Sequence, residues 1–370
     1  MDVRALYHML RLEVLHPKMF TFARDGPLPL MWKNLTTQSG LLQPSELEAL
    51  TGRTALVVGG TSGCGLELAK ILAAYCSRLI ITARNPQRGE QALEETTKSQ
   101  LDGMNPQAQI EVWSLELESF QSIRDFTERV RRLPSLDIAV LNAGIWHLHF
   151  AHSIDSFETH LQVNYLAPCA LSLSLLGVLS RGRLADARPG RLLNVTSEGH
   201  ALESVPTGEV ANEVLARFND PKALTCYQRY RLSKLLSMIW THELALSMNP
   251  RGVEIASFTP GATRTQICRN LGAGPMVRLI LRLFCQTAEQ GAHAYLRALI
   301  TEEFHGRYLF RDQVYEPTDC VIAEKYRPFR RDLVQQTITL LGKQVSIPSD
   351  IHDSLDISSP SGLWNSRVTH

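Results

Sequence analysis

The sequence is poor in features that mark several specialised classes of protein. Its 370 residues include 7 cysteines, and no two of them have the C-x-x-C spacing of a zinc site or a dithiol redox motif. An odd count of this kind favours unpaired thiols in a reducing compartment over a disulfide framework. The formal net charge is +1. A nucleic-acid-binding protein usually has a strong basic excess, so no nucleic-acid partner is predicted.

Long apolar runs are also scarce. Charged residues interrupt the first 24 residues, which therefore contain neither the core of a signal peptide nor a membrane span. The apolar run at 171–179 is too short to cross a bilayer and predicts a buried helix. We therefore expect a cytoplasmic protein without a transmembrane segment. A second interpretation is that residues 1–24 form an amphipathic anchor that contacts a membrane surface.

Between residues 52 and 258, apolar runs alternate with stretches of helical periodicity. The runs typical of buried strands lie at 54–58, 78–82, 110–113, 136–141, 191–195 and 253–258. Helices are predicted between them at 64–76, 86–98, 120–131, 156–180 and 228–247. This alternation predicts an α/β fold: a Rossmann-type, doubly wound parallel sheet with helices on both faces, in a single domain.

The chain is expected to divide into three parts. Residues 1–50 form an N-terminal arm, which is irregular apart from a candidate amphipathic helix at 1–15. Residues 51–345 form the Rossmann domain, and residues 346–370 form a C-terminal tail. Within the domain, the long gap at 198–225 is interpreted as a surface insertion.

A glycine-rich turn follows the first predicted strand. The residues of this turn that we expect to contact a cofactor are Gly59, Thr61, Ser62, Gly63, Cys64 and Gly65. The glycines have the spacing G-x-x-x-G-x-G, which lets the backbone turn sharply and approach a pyrophosphate at a helix N-terminus. Gly65 also lets the helix pack closely on the strand. A plain tight turn is the alternative, but the position between a buried strand and a helix favours a nucleotide site.

The second predicted strand ends in the sequence Thr82-Ala-Arg84. Sites that bind NAD usually have an acid here, which accepts a hydrogen bond from the ribose 2′-hydroxyl. This position has Arg84 instead, and a guanidinium matches the 2′-phosphate of NADP in charge and as a bidentate donor. A solvated surface arginine with no role is the alternative. We predict NADP, or its reduced form NADPH, as the cofactor.

Tyr230 and Lys234 lie four residues apart on the last predicted helix, so both side chains can point into one cleft. A tyrosine with the ordinary pKa of about 10 is a poor proton donor or acceptor at neutral pH. A neighbouring ammonium stabilises the phenolate and lowers that pKa, as proton transfer to a carbonyl oxygen requires. The spacing alone is common, and an ordinary helix surface is the alternative.

Six motifs, in order along the chain, resemble those of the short-chain dehydrogenase/reductase family. They are the glycine turn, Asn142-Ala143-Gly144, Asn164, Ser197, the pair of Tyr230 and Lys234, and Pro260-Gly261 with Thr265. The resemblance extends over residues 52–343. The sequence at 157–164 is similar to that of the retinol-dehydrogenase-like and WW-domain-oxidoreductase-like branch. The resemblance implies an NADP-dependent oxidoreductase that moves a hydride between a nicotinamide and a carbonyl or alcohol.

The resemblance also implies a role for individual residues. Tyr230 is the general acid and base, and Lys234 lowers its pKa and holds the nicotinamide ribose. Ser197 binds the substrate oxygen, and Asn164 holds a water of a proton relay. The implied cofactor contacts beyond the glycine turn and Arg84 are Glu116, Asn142, Ala143, Gly144, Tyr230, Lys234, Pro260, Gly261 and Thr265.

The sequence departs from the family at three positions near the cofactor. Val58, Leu141 and Glu116 stand where the family usually has threonine, asparagine and aspartate. These departures motivate an alternative function, a catalytically weak or inactive protein that binds the cofactor and acts in regulation. The four intact catalytic residues favour the enzyme.

The substrate side has fewer motifs. The segment at 267–284 is rich in apolar residues, and a helix here would form an apolar lid. A core helix or a dimer contact is the alternative. We expect a lipophilic carbonyl or alcohol substrate, such as a retinoid, a steroid or a polyketide-like compound. Trp146, His147 and His149 are candidates for lining the same mouth.

No metal site is predicted. The resemblance also implies a possible homodimer, since this family often forms one.

Overall fold

A computed structural model describes residues 42–101, 107–182, 189–248, 252–264 and 285–345. Its strands are β1 (Thr54–Val58), β2 (Arg78–Ala83), β3 (Gln109–Ser114), β4 (Ile138–Leu141), β5 (Gly190–Val195), β6 (Val253–Thr259), β7 (Tyr308–Phe310) and β8 (Gln313–Tyr315). They form one sheet in the order β3-β2-β1-β4-β5-β6-β7-β8. All neighbouring pairs are parallel except β7 and β8, which are antiparallel.

The helices alternate with these strands. They are α1 (Pro44–Leu47), α2 (Gly63–Tyr75), α3 (Pro86–Leu101), α4 (Phe120–Arg131), α5 (Thr159–Leu161), α6 (Ala167–Leu179), α7 (Ala211–Asn219), α8 (Cys226–Ser247), α9 (Ala288–Ile300), α10 (Asp319–Ile322) and α11 (Arg327–Gly342). A π-helical turn at Gln162–Leu166 joins α5 to α6. Short 3₁₀ turns lie at Glu48–Leu50, Glu198–Leu202 and Glu324–Tyr326.

Both faces of the sheet are covered, as the uninterrupted apolar strands predict. Along β1, Leu56 and Val58 belong to a core cluster shared with α4, α6, α8 and α11. Ala55 and Val57 belong to a second cluster shared with α2 and α9. Successive side chains of a strand point to opposite faces, so a strand buried on both faces must be apolar throughout. The predicted Rossmann-type, doubly wound sheet is confirmed.

The order of the strands reverses at β1, which pairs with β2 on one side and with β4 on the other. At this point the crossovers leave in opposite directions and open a crevice at the carboxyl ends of the strands. Val58 at the end of β1 lies opposite Leu141 at the end of β4. The glycine turn and the Asn142-Ala-Gly segment follow these two residues directly, so the fold brings both to the crevice.

Two segments are more ordered than the sequence predicts. The segment 198–225, expected as a surface insertion, contains α7, whose Ala211, Val214 and Phe218 are buried in the core. Spacings of three and four residues make this helix amphipathic, and it packs against α11. In the expected N-terminal arm, α1 is helical and Leu47 is buried. The candidate helix at 1–15 lies outside the described residues.

The helical segment Thr159–Leu179 is, among the described residues, the one helix long and apolar enough to cross a membrane by length and composition. Its most apolar window is 94% buried inside the protein. It packs against α4 and α8 on one face of the sheet. The predicted buried helix at 171–179 is therefore observed as the central helix of the core.

Candidate active site

The glycine turn between β1 and α2 is closely packed. Gly59 has φ of +81°, a left-handed conformation that favours glycine, and its N–H donates to Thr82 Oγ1 at 3.0 Å. A Cβ at Gly59 would lie 2.8 Å from the Cβ of Ala143. A Cβ at Gly65 would lie 2.3 Å from the carbonyl oxygen of Gly59. These two positions therefore admit glycine alone without a shift of the backbone.

The 13-residue helix α2 begins at Gly63 and points its N-terminus at this turn. Within the described structure, the Ser62 side chain does not cap the helix, and Thr61 and Ser62 are only half-buried. The first amides of a helix carry partial positive charge and suit an anionic group. Cys64 is buried, and its sulfur lies where α2 meets Gly291 of α9, so its contribution at the helix end is limited to its backbone.

Asn142 ties three elements together at the crevice. Its backbone N–H and that of Ala143 donate to the carbonyl oxygen of Val58, at 3.1 and 2.9 Å. Its side-chain Nδ2 donates to the carbonyl oxygen of Gly59 at 2.9 Å. The hydroxyl of Tyr295 on α9 donates to Asn142 Oδ1 at 2.6 Å. Sequence reasoning missed Tyr295, because an aromatic residue in a helix is most often part of the core.

Arg84 follows β2, and its side chain is 52% exposed. Its guanidinium lies 3.8 Å from the carboxylate of Glu118, which the sequence analysis did not single out. Burial, and to a smaller extent the charge of Glu116, raise the pKa of Glu118, while Arg84 opposes the shift. Glu116 accepts a hydrogen bond from the Glu118 amide at 3.2 Å. The predicted cofactor residues Arg84 and Glu116 are thus connected through Glu118.

Asn164 lies in the π-helical turn and is fully buried. Its Oδ1 accepts from the Ile145 amide at 2.8 Å, and its Nδ2 donates to the Ile145 carbonyl at 3.0 Å. Nδ2 also lies 3.1 Å from Ser233 Oγ on α8. π-Turns occur frequently at functional sites. Here the turn presents an amide side chain that fixes the backbone after the Asn142-Ala-Gly segment.

Lys234 reaches from α8 across the sheet edge to the end of β5. Its ammonium donates to the carbonyl oxygen of Val195 at 3.0 Å. Burial lowers the pKa of Lys234 from 10.5 to about 8. A Cβ at Gly144 would lie 3.2 Å from Lys234 Nζ and 3.3 Å from Asn164 Oδ1. Gly144 therefore lies directly against both of these side chains.

Ser197 and Tyr230 meet around Gly199, in the 3₁₀ turn after β5. The Ser197 hydroxyl accepts from the Gly199 amide at 3.1 Å. A Cβ at Gly199 would lie 3.3 Å from Ser197 Oγ and 3.8 Å from Tyr230 Cε1. Tyr230 is only half-buried. The structure thus brings the four predicted catalytic residues to one edge of the sheet, at the ends of β4 and β5.

Pro260 and Gly261 follow β6 at the same edge. Gly261 has φ of +78°, and its amide donates to Thr259 Oγ1 at 3.3 Å. The Pro260 carbonyl accepts from Gln286 Nε2 at 2.6 Å and from the buried Arg311 at 3.3 Å. Thr265 and the predicted lid at 267–284 lie outside the described residues.

Of the candidates for the substrate mouth, Trp146 lies beside Tyr230, the predicted general acid and base. The indole of Trp146 stacks on the Tyr230 ring, with centroids 5.6 Å apart. His147 donates its backbone N–H to Nε2 of the buried His160 at 3.0 Å, and its ring stacks on that of His149 at 5.2 Å. Sequence reasoning did not single out His160, since a lone histidine in a helix has no recognisable pattern.

Comparison with known proteins gives a consistent result. A sequence model described as short chain dehydrogenase matches residues 53–208. The short chain dehydrogenase sol3 of Alternaria solani is 34% identical over 245 residues, covering 66% of this chain and 83% of that protein. The short chain dehydrogenase resG of Aspergillus sclerotiorum is 32% identical over 323 residues, covering 81% of this chain and 86% of that protein.

The fold also matches solved structures. A short chain dehydrogenase from Burkholderia cenocepacia J2315, solved in complex with NADP, superposes with a TM-score of 0.53 at 24% sequence identity. The match covers 71% of this chain and 97% of that protein. At this level of identity the likeness concerns the fold.

Proposed function

Because the chain belongs to the short-chain dehydrogenase/reductase family and is an oxidoreductase, we propose that it transfers a hydride between NADP(H) and a carbonyl or alcohol group. The observation that carries this proposal is the convergence of Asn164, Ser197, Tyr230 and Lys234 at one edge of the sheet. This edge adjoins the glycine turn, so a cofactor held there and a substrate at Tyr230 can meet.

The residues at the crevice fit a dinucleotide phosphate. Gly59 and Gly65 let the main chain of the turn pack closely, and the N-terminus of α2 offers its amides to a pyrophosphate. The exposed guanidinium of Arg84 suits the 2′-phosphate, which would compete with Glu118 for it. Asn142 and Gly144 line the crevice between the turn and Lys234. When bound, the nicotinamide supplies or accepts the hydride.

Tyr230 is proposed to donate the proton to the carbonyl oxygen in reduction, and to accept it in oxidation. With a pKa of about 8, Lys234 is mostly protonated at neutral pH. Its positive charge then stabilises the Tyr230 phenolate and brings the proton affinity of the phenol nearer to neutral pH. Lys234 is held at one end by the Val195 carbonyl, which fixes the direction of its ammonium.

Ser197 is proposed to hydrogen-bond the substrate oxygen, since its hydroxyl and the Tyr230 ring flank the same Gly199. The side chain of Asn164 is engaged with Ile145 and Ser233. We propose that it fixes the wall of the site and that its amide helps to hold a water near Lys234. The substrate is proposed to be lipophilic, because the half-buried Trp146 beside Tyr230 offers an apolar wall.

The cofactor proposal is tested by titrating the purified full chain with NADPH and NADH, with fluorescence as the readout. NADPH is expected to bind at least tenfold more tightly than NADH. Arg84→Asp is expected to remove this preference, because it replaces the phosphate partner with a like charge. The matched control, Arg132→Asp, changes an exposed arginine of the α4 cap and should leave both affinities unchanged. Equal ratios in wild type and Arg84→Asp would reject the phosphate role.

The reaction is tested by following NADPH consumption with a panel of lipophilic ketones and aldehydes. Turnover of at least one is expected, with one alcohol formed for each NADPH oxidised. Tight NADPH binding without turnover of any of them would instead support the alternative of a regulatory protein that binds the cofactor.

A further inference from the structure

Three aromatic rings cluster at the proposed proton donor. The indole of Trp146 is inclined by 29° to the Tyr230 ring, with centroids 5.6 Å apart. The ring of Tyr227, one turn earlier on α8, lies 5.7 Å from the same indole at 50°. The guanidinium of Arg231 lies 4.3 Å over the Tyr227 ring. All three rings are half-buried, so this aromatic cluster (Trp146, Tyr227 and Tyr230) is part of the cleft surface and not of the core.

The backbone that carries the indole is held on both sides of Trp146. The residue before Trp146 is held by both polar atoms of the Asn164 side chain. The residue after it, His147, donates its amide to Nε2 of His160. Because Nε2 accepts this bond, Nδ1 of His160 must be the donor to Glu158, 2.7 Å away. His160 and Glu158 are both completely buried, so the backbone on each side of Trp146 is fixed before any substrate binds.

We propose that Trp146 determines specificity by stacking on a planar aromatic ring of the substrate. This inference rests on the proposed function, since it assumes that the substrate oxygen binds at Tyr230. Because the indole lies against the Tyr230 ring, a planar substrate ring whose carbonyl reaches the Tyr230 hydroxyl can contact the indole. Little conformational entropy is lost in this contact, because the backbone around Trp146 is already fixed. Aromatic pairs in offset or tilted contact are favoured beyond the area that they bury, by a factor of about 2 to 12 in affinity. The substrate class is therefore a ketone or alcohol that carries a planar aromatic ring.

The test uses two probes with the same bicyclic carbon skeleton: 1-tetralone, which contains an aromatic ring, and the saturated 1-decalone. The measured quantity is the ratio of kcat/KM for 1-tetralone to that for 1-decalone, with NADPH, in wild type, Trp146→Leu and Trp146→Phe. Comparing this ratio between variants cancels the different chemical reactivity of the two ketones. The phenylalanine variant is the matched control, because it keeps a flat ring at the same position.

Trp146→Leu is expected to lower the ratio about 3- to 10-fold, chiefly through KM for 1-tetralone, while NADPH affinity is unchanged. Trp146→Phe is expected to keep the ratio within twofold of wild type. A ratio unchanged in Trp146→Leu would overturn the proposal. An equal rise in kcat/KM for both ketones is one such result, and it would mean that the indole only obstructs access to the site.

A failure of the proposed function is distinguishable from a failure of this inference. If NADPH binds but neither ketone is reduced, the oxidoreductase proposal fails for these carbonyls, and calorimetric binding of 1-tetralone to the NADP⁺ complex decides the aromatic site. Tighter binding to wild type than to Trp146→Leu supports stacking on the indole. Equal binding to the two proteins, or no binding to either, overturns it.

Discussion

On the cofactor side of the cleft, the glycine turn leaves no room for a Cβ at Gly59 or Gly65, whereas the proposed catalytic residues Lys234 and Asn164 are positioned by hydrogen bonds to main-chain groups. A Cβ at Gly65 would meet the carbonyl oxygen of Gly59, and a Cβ at Gly59 would meet Ala143. The shape of the turn therefore requires residues without side chains at both positions. Such a site tolerates no added atom. It is also visible in the sequence, because a glycine that must be glycine leaves a spacing pattern.

The proposed catalytic residues Lys234 and Asn164 are positioned by hydrogen bonds to residues far from them in the chain. Lys234 donates to the carbonyl of Val195, and Asn164 binds both backbone groups of Ile145. These partners lie 39 and 19 residues from the side chains that hold them. Substitutions on the cofactor side should therefore act by steric clash, and substitutions of the proposed catalytic residues by loss of a functional group without loss of the fold.

The largest expected effect comes from Tyr230→Phe. Loss of the hydroxyl removes the proposed proton donor, and kcat/KM for a carbonyl substrate should fall about 10²- to 10⁴-fold. The NADPH dissociation constant, measured by titration, should stay within twofold, because the ring and its contact with Trp146 remain. Tyr326→Phe, a tyrosine before α11, serves as the control and should change neither quantity. A residual rate above a tenth of wild type would reject Tyr230 as the general acid.

A methyl group added at Gly65 probes the opposite side. Gly65→Ala places a Cβ 2.3 Å from the Gly59 carbonyl oxygen, so the glycine turn must shift. We expect NADPH affinity to fall at least tenfold, with destabilisation of about 1 to 3 kcal/mol, as in overpacked cores. Gly177→Ala on α6 is the matched control, because nothing lies within 4 Å of its Cβ position, and it should be neutral or slightly stabilising. Equal behaviour of the two variants in denaturation and titration would contradict this account of the turn.

Lys234→Met tests the effect of the buried lysine on the stability of the fold, independently of turnover. In the cofactor-free protein, burial lowers the pKa of Lys234 from 10.5 to about 8. Between about pH 8 and pH 10.5, Lys234 binds its proton more strongly in the unfolded chain than in the folded protein. The wild type should therefore gain stability relative to Lys234→Met as the pH rises through this window. Below about pH 8 the lysine is protonated in both states, and the difference should be constant.

The measurement is urea denaturation of both proteins at pH 7 and pH 9. Lys222→Met, at an exposed lysine, provides the control and should follow the wild type at both pH values. The same change in stability from pH 7 to pH 9 in wild type and Lys234→Met would show that the lysine titrates as an exposed group.

The smallest expected effect concerns the charge beside Arg84. Glu118→Gln removes a carboxylate 3.8 Å from the guanidinium of Arg84. A partly exposed ion pair of this kind contributes about 0.2 to 1 kcal/mol, so NADPH affinity should rise about 1.4- to 5-fold, and NADH affinity should change less. Titration of both cofactors at low and high salt checks this. A loss of NADPH affinity in Glu118→Gln would mean that Glu118 holds Arg84 in its binding position.

The two sides of the cleft also differ in how far the sequence predicts them. Strand β1 and helix α4 match the predicted 54–58 and 120–131 at both ends, because a strand buried on both faces is a continuous apolar run and an amphipathic helix has a regular apolar period. The glycine turn was predicted from the spacing of Gly59, Gly63 and Gly65 between a buried strand and a helix. Helix α7 was not predicted, because it is short and lies in a segment rich in turn-forming residues.

The support around the catalytic residues was not predictable. The bond from Tyr295 to Asn142 and the bond from the His147 amide to His160 depend on which segments pack together. A family pattern names Asn164 but does not show that its amide is bound to the backbone beside Trp146. Such contacts follow from tertiary packing, which has no local signature in the chain.

Hydride transfer itself gives the most direct test of the account. The full chain is incubated with 1-tetralone and NADPH carrying deuterium at one of the two C4 positions of the nicotinamide, in two parallel reactions, and the alcohol is analysed by mass spectrometry. We predict one deuterium per alcohol with one cofactor stereoisomer and none with the other, and alcohol formation at least about 10²-fold slower with Tyr230→Phe. Alcohol that contains no deuterium from either stereoisomer, or equal formation of alcohol by Tyr230→Phe, would contradict the account.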